Sequence, residues 1–307
     1  MKREELLKLV GSVEQIGGIR DFTFNDGKAK GVRAIEINTG SIRFTVLPDR
    51  CMDIAQAYYK NDAIAWFSKA GIASPYLYDK DSTEWLRGFY GGLITTCGLK
   101  NVGKPREPYG LHDRIAHTPA QKVSVFADWV GDEYVMKVSG EMRDSKALGH
   151  NIALKRTITT KLFAESFTVE DTILNESFND EEVMICYHCN FGYPLVCEGA
   201  KMVNIPDEYK NISAPIHNKE EECYHVDHEG DVATVGIENG RIGAYITYKR
   251  DTLPDFLLWK KESECDYVIG LEPRTICGGT DKYGRQKACL KPFEELKTTL
   301  EFSMKTL

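Results

Sequence analysis

Residues 153–162 read Ala153-Leu154-Lys155-Arg156-Thr157-Ile158-Thr159-Thr160-Lys161-Leu162, a stretch with period two. Leu154, Arg156, Ile158, Thr160 and Leu162 share one face, and Ala153, Lys155, Thr157, Thr159 and Lys161 share the other, as in a strand buried on one side. The C-terminus repeats the pattern, with Leu300, Phe302 and Met304 alternating with Glu301, Ser303 and Lys305. Short runs of the same kind occur at Ile35–Asn38, Arg43–Leu47, Lys122–Ala127, Tyr134–Val138, Phe167–Leu174, Val183–Asn190, Gly243–Tyr248 and Tyr267–Glu272. Turn clusters punctuate them at Asn25-Asp26-Gly27, at Gly71 to Pro75 and at Gly278-Gly279. No helical pattern of about 10–15 residues alternates with the strands, which argues against a parallel βαβ sheet. The reading is all-β, a large antiparallel sandwich or barrel.

One short helix is expected at the start, where Leu6, Leu7, Leu9 and Val10 follow Glu4-Glu5 and Gly11 ends the run. With no internal repeat, low-complexity tract or flexible linker, the expected division is a helix and lead-in over 1–30 and one β domain over 31–307.

The chain has 307 residues, with 39 Lys+Arg against 46 Asp+Glu and a formal charge of −7. That acidic balance, without a Lys/Arg block, argues against a nucleic-acid partner. The longest stretch free of Asp, Glu, Lys and Arg, Val183 to Cys197, is shorter than the roughly 18 apolar residues of a membrane helix and includes His188 and Asn190. Met1-Lys2-Arg3-Glu4-Glu5 leads into no apolar signal core. The expectation is a cytoplasmic protein without a membrane partner. Its nine cysteines have no regular framework and read as reduced, buried small residues.

Three segments carry candidate chemistry. In Met184-Ile185-Cys186-Tyr187-His188-Cys189-Asn190-Phe191, period two sets Met184, Cys186, His188 and Asn190 on one face. Such a His and Asn either satisfy one another in the core or line a polar pocket. In Tyr267-Val268-Ile269-Gly270-Leu271-Glu272-Pro273-Arg274, Glu272 follows Gly270 on one face, and Gly270 leaves room for a close approach. Pro273, lacking an N–H, is expected to end the ladder. Glu272 suits a general base, or else an ion pair with Arg274 or a lysine. The third segment, Tyr109-Gly110-Leu111-His112-Asp113-Arg114, follows the uncharged run Gly88–Leu99, which reads as closely packed loops. If extended, His112 and Arg114 point the same way, a pair for hydroxyls or an anion. The alternative is a surface loop with His112 capping a carbonyl.

Cys186-x-x-Cys189 has zinc-like spacing, with His225-x-x-His228 downstream. On a strand, however, residues 186 and 189 face opposite ways, so no metal site is expected. No phosphate-binding loop or dinucleotide fingerprint is present, and no cofactor is expected.

Taken together, these segments resemble the aldose 1-epimerase (galactose mutarotase-like) superfamily, and most closely a branch of it known mainly as a domain of unknown function. The likeness is carried by Val46-Leu47-Pro48-Asp49-Arg50-Cys51-Met52-Asp53-Ile54, by Leu93–Leu99, by Gly110–Arg114, by Tyr187–Leu195 and by Gly270–Pro273, in family order. The resemblance implies a β-supersandwich with a sugar cleft. It implies His188 as the acid, following the Val169-x-Asp171-x-x-x-Asn175 segment, and Glu272 as the base. His112 would be a sugar-binding His, although Asp113 stands where the family pattern has Gly. Asp207 or Asp255 would supply a further pocket carboxylate.

The expected function is therefore an isomerase interconverting sugar anomers, with His188 and Glu272 catalytic. His112, Arg114, Asn190, Arg50 and Arg274 are the expected substrate contacts, and Trp66, Trp85 or Trp259 could stack on a sugar face. Two alternatives stay open: an epimerase or isomerase acting at carbon of a sugar acid or sugar phosphate, and a sugar-binding module without catalysis. The expected partner is a small carbohydrate, with a homodimer left open.

Overall fold

The computed structural model describes residues 1–277, 284 and 286–307; the Gly278-Gly279 turn cluster lies outside them. Every run named above as a strand is one, usually extended by a residue or more at each end. Ala153–Leu162 becomes Asn151–Lys161, and the C-terminal alternation becomes Glu295–Thr306. Among the described residues three sheets form, and all of their strand pairs are antiparallel.

The first sheet is a five-stranded meander of Gly18–Thr23, Arg33–Asn38, Ile42–Leu47, Asp53–Tyr59 and Asp62–Ala63. The second has eight strands, with Glu295–Thr306 between Ile242–Lys249 and Ser166–Asn175 near its middle. The third is built on Glu181–Phe191, which pairs with Asp266–Arg274 on one side and with Thr95–Leu99 on the other. Asp255–Ser263 and then Glu222–His225 extend it beyond Asp266–Arg274.

The inner faces meet in one apolar core with contributions from all three sheets, among them Phe44, Leu154, Phe167, Ile185, Ile269 and Phe302. Phe167 stacks between Phe44, at a centroid distance of 4.3 Å, and Phe302, at 5.0 Å. Arg156, which the alternation set on this apolar face, is fully buried. A buried guanidinium is tolerated only with its charge and donors satisfied. Nε and Nη2 donate to the two oxygens of Asp171 at 2.9 and 2.7 Å, and Nη1 donates to Asp53 at 2.8 Å. The hydroxyl of Tyr187 also donates to Asp171, at 2.7 Å. Arg156 and Asp171 belong to the eight-stranded sheet, Asp53 to the meander and Tyr187 to the third sheet, so one polar knot ties all three.

Several expectations are corrected. The run Gly88–Leu99 is not all loop: Thr95–Leu99 is a strand, because its backbone is needed to pair the outer side of Glu181–Phe191. The ladder outlasts Pro273 by one residue, Arg274, which pairs with Asp255 on one side and Cys186 on the other. The expected short N-terminal helix is present at Arg3–Leu7, and Gly18–Thr23 forms the edge strand of the meander. All nine cysteines are thiols, but Cys223, Cys265 and Cys289 are exposed rather than buried. No helix among the described residues is long and apolar enough to cross a membrane.

Candidate active site

Period two holds along Glu181–Phe191. Ile185, Tyr187, Cys189 and Phe191 enter the main core, while Cys186 joins a second cluster with Trp85, Phe89, Cys97 and Ala116. His188 and Asn190 share that second face. The two thiols of Cys186-x-x-Cys189 therefore sit in different clusters, for the reason the strand period supplies. The downstream histidines also part: His228 bonds Tyr248 and the Asn204 carbonyl, while His225 meets Asp255.

On the neighbouring strand, Ile269 and Leu271 face the main core, which turns Gly270, Glu272 and Arg274 toward the second face. The register pairs Cys186 with Arg274 and Cys189 with Leu271, and so sets His188 opposite Glu272. Both are buried, at 6% and 2% exposure. His188 Nε2 lies 3.2 Å from Glu272 Oε1. The contact is an ion-pair approach off the hydrogen-bond line, so Oε1 has no hydrogen-bond partner among the described residues.

Asn190 decides which nitrogen of His188 faces the carboxylate. Its amide NH2 donates to the Gly92 carbonyl at 3.0 Å and to the His188 carbonyl at 2.9 Å, which fixes its oxygen as the acceptor toward His188 Nδ1 at 2.6 Å. Nδ1 therefore carries a proton in either charge state, and Nε2 is the nitrogen that exchanges one. Fully buried and fully engaged, Asn190 orients His188.

His112 comes from the opposite wall, its ring centroid 5.8 Å from that of His188. Its backbone is left-handed, at φ 54°, and so is that of Asp113, at φ 55°. The Gly103 N–H donates to His112 Nδ1 at 3.2 Å, so the neutral ring carries its proton on Nε2. Burial, with His188 and Arg274 nearby, pushes the His112 pKa down to about 3. The ring is thus a neutral donor and does not cap a carbonyl through Nδ1.

Aromatic rings enclose the pair. Trp259 lies 5.1 Å and Phe89 5.3 Å from the His188 ring, and Trp85 lies 4.8 Å from His112. Trp66 touches both Trp259 and Phe89. The space beside Gly270 is taken by Trp259 from the adjacent strand: a Cβ on Gly270 would stand 2.9 Å from Trp259 Cε3 and 3.1 Å from Glu272 Oε1.

The remaining sequence-derived residues separate. Glu272 does not pair with Arg274; Arg274 Nε donates instead to Asp255 at 2.7 Å, and Arg274 flanks the site two register positions further along. Asp255 is thus beside the site, whereas Asp207 is exposed and paired with Lys210. Arg50 is fully buried, with Nε, Nη1 and Nη2 donating to the carbonyls of Ala116, Ala73 and Gly88, and it ties loops together. Arg114 is exposed over the Tyr78 ring. It does not accompany His112, because two successive left-handed residues break the extended geometry that would align them. Phe89 escaped the sequence reading, since a lone Phe in a Gly-rich run has no periodic signal.

Two strands of an antiparallel sheet thus present an imidazole and a carboxylate at contact distance inside an aromatic enclosure. The fold is that of the galactose mutarotase-like proteins. The chain belongs to the family described as a domain of unknown function (DUF4432), whose pattern matches residues 29–304. Among solved structures it is similar to a protein of Klebsiella pneumoniae provisionally assigned as an aldose 1-epimerase, with a TM-score of 0.84 and 20% identity over 99% of this chain and 86% of that one. It is also similar to a galactose mutarotase-like protein of Clostridium acetobutylicum, with a TM-score of 0.65 and 13% identity over 95% and 100% of the two chains. A galactose 1-epimerase of Lactobacillus acidophilus has a TM-score of 0.62 and 10% identity over 94% and 99%. At these identities the likeness is one of fold. No curated protein matches the chain.

Proposed function

We propose that this protein is a carbohydrate isomerase, an aldose 1-epimerase that interconverts sugar anomers by acid–base ring opening. The observation that carries the reading is the 3.2 Å approach of His188 Nε2 and Glu272 Oε1, with Nδ1 tied to Asn190. The anomeric and ring oxygens of an aldose are both bonded to C1, so two groups this close can address them together. Glu272 takes the proton of the anomeric hydroxyl while His188 Nε2–H gives one to the ring oxygen. The ring opens, rotation about C1–C2 presents the other carbonyl face, and the reverse transfers close it. His112, neutral with its proton on Nε2, donates to a sugar hydroxyl. Trp259 and Trp66 offer apolar walls to a sugar face. Each positioned proton transfer contributes roughly 10²–10⁴-fold, enough for a reaction that proceeds unaided in water.

The test is anomeric exchange followed by NMR or optical rotation across a panel of aldoses, with Glu272→Gln and His188→Asn as controls. Undiminished rates in either variant would remove that residue from its role.

A second reading keeps the pair but moves the chemistry to carbon, on a sugar acid. The position of Arg274 beside Glu272 favours it, since an anionic group could lie against that guanidinium. Turnover in deuterated water separates the readings: carbon-bound deuterium in the product supports carbon chemistry, and its absence supports anomeric exchange.

A further inference from the structure

Glu272 is held unusually for a buried carboxylate. Oε1 faces His188 without a hydrogen bond, and the partner of Oε2 among the described residues is a thiol, Cys186 Sγ, at 3.4 Å. Cys186 is fully buried two residues before His188, on the same face of the same strand. Cys97 stands directly opposite it on Thr95–Leu99. Burial first, then the neighbouring Cys97 and Glu272, push the Cys186 pKa well up, so the group stays S–H and donates.

A thiol is a weak donor. Hydrogen bonds to the charged form of a carboxylate stabilise it, so backbone N–H or hydroxyl donors at Oε2 would make Glu272 a poorer base. A single S–H contact fixes the direction of the carboxylate with a weaker donor than either of these. We propose that Cys186 is a positioning residue, whose thiol anchors Glu272 Oε2 so that Oε1 is presented to His188 Nε2 and to the substrate proton. The proposal rests on reading Glu272 as a proton-transfer group. It adds that a buried sulfur on the neighbouring strand sets the aim of that group.

The test compares wild type with Cys186→Ser, Cys186→Ala and Cys97→Ala, using two readouts. The first is a 13C NMR titration of the Glu272 side-chain carboxyl without sugar, assigned by its loss in Glu272→Gln. The second is the pH profile of kcat/KM for anomeric exchange. Ser offers a stronger donor from the same Cβ, so Cys186→Ser should move the titration midpoint and the acid limb of the profile down together, by roughly half a pH unit. Cys186→Ala should lower kcat roughly tenfold with KM within about twofold, and Ser should restore much of it. Cys97→Ala removes a second hydrogen-bonding neighbour of the Cys186 thiol while keeping the donor to Glu272, and should move the midpoint less than Cys186→Ser does. A midpoint unchanged in Cys186→Ser, or one moved equally by Cys97→Ala, overturns the proposal. The titration needs no substrate, so a chain that exchanges no aldose yet shows the Ser shift would refute the proposed reaction and retain the role of Cys186.

Discussion

His188 and Glu272 stand opposite each other on neighbouring antiparallel strands, with Nε2 and Oε1 3.2 Å apart and both side chains buried. Register brings the two residues face to face, since each lies on the outward face of a strand whose alternate residues pack the core. Glu272→Gln keeps the size of the side chain and should leave the melting temperature nearly unchanged, whereas His188→Asn removes ring volume packed on Phe89 and Trp259 and should lower it modestly. Each should lower anomeric exchange by roughly 10²-fold or more, measured by NMR saturation transfer on the anomeric protons.

Asn190 should act through His188. In Asn190→Ala the imidazole loses the acceptor that holds its Nδ1 proton, and the Gly92 carbonyl loses its donor. The expected cost is about 1–3 kcal/mol in stability from the unsatisfied buried groups. Nitrogen-15 spectra should show the neutral His188 ring passing from one tautomer to a mixture; a ring unchanged in the variant would assign its orientation to packing instead.

Gly270 has a definite steric duty. Gly270→Ala should push Trp259 or Glu272 aside, because the added Cβ stands 2.9 Å from one and 3.1 Å from the other. Activity should fall about tenfold or more, with a smaller change in unfolding free energy than core disruption brings. Steady-state kinetics beside urea denaturation would separate the two effects.

The Arg156 knot is a matter of stability rather than chemistry. Arg156→Ala strands Asp171 and Asp53 as buried carboxylates, and should cost about 3–5 kcal/mol in urea unfolding. Burial already pushes the Asp53 pKa up to about 6 despite its arginine and Thr96 partners. Adding Asp53→Asn and Asp171→Asn to the Arg156→Ala chain should recover part of the loss, because it removes the uncompensated charges. A triple variant no more stable than Arg156→Ala would mean that packing, not charge, dominates the site.

His112 should make the protein acid-labile in a defined window. Its folded pKa of about 3 lies below the ordinary value of about 6.5, so between these pH values the unfolded chain binds more protons. The stability His112 contributes is complete above pH 6.5 and is lost as pH falls toward 3, at no more than about 1.4 kcal/mol per pH unit. His112→Asn cannot titrate there. The stability of wild type relative to this variant should therefore decline as pH drops from 6.5 to 3, and a pH-independent difference would contradict the burial of a neutral ring.

Much of this was legible in the chain. Alternation at Ala153–Leu162 and Leu300–Lys305 marked strands because a one-sided sheet must alternate, and the same rule set His188 and Asn190 on the face of Cys186. Asp255–Ser263 was missed as a strand because Phe256-Leu257-Leu258-Trp259 is a continuous apolar run without alternation. With it went the recognition that Trp259, one of three candidate tryptophans, is the one that packs on both His188 and Gly270. The pairing of His112 with Arg114 failed because left-handed residues at 112 and 113 cannot be inferred from non-glycine identities.

The sequence by itself determined the all-β class and the faces of its strands, which follow from periodicity and are local; His188, Glu272 and His112 took their assigned roles only through the family resemblance of the segments that carry them. Only the tertiary structure decided that Glu272 meets His188 and not Arg274, that Arg50 is spent on loop carbonyls, and that Asn190 orients a ring. Those outcomes depend on register between strands whose paired residues lie 78 to 88 positions apart and on which donors burial leaves unsatisfied, and neither quantity is written in any single segment.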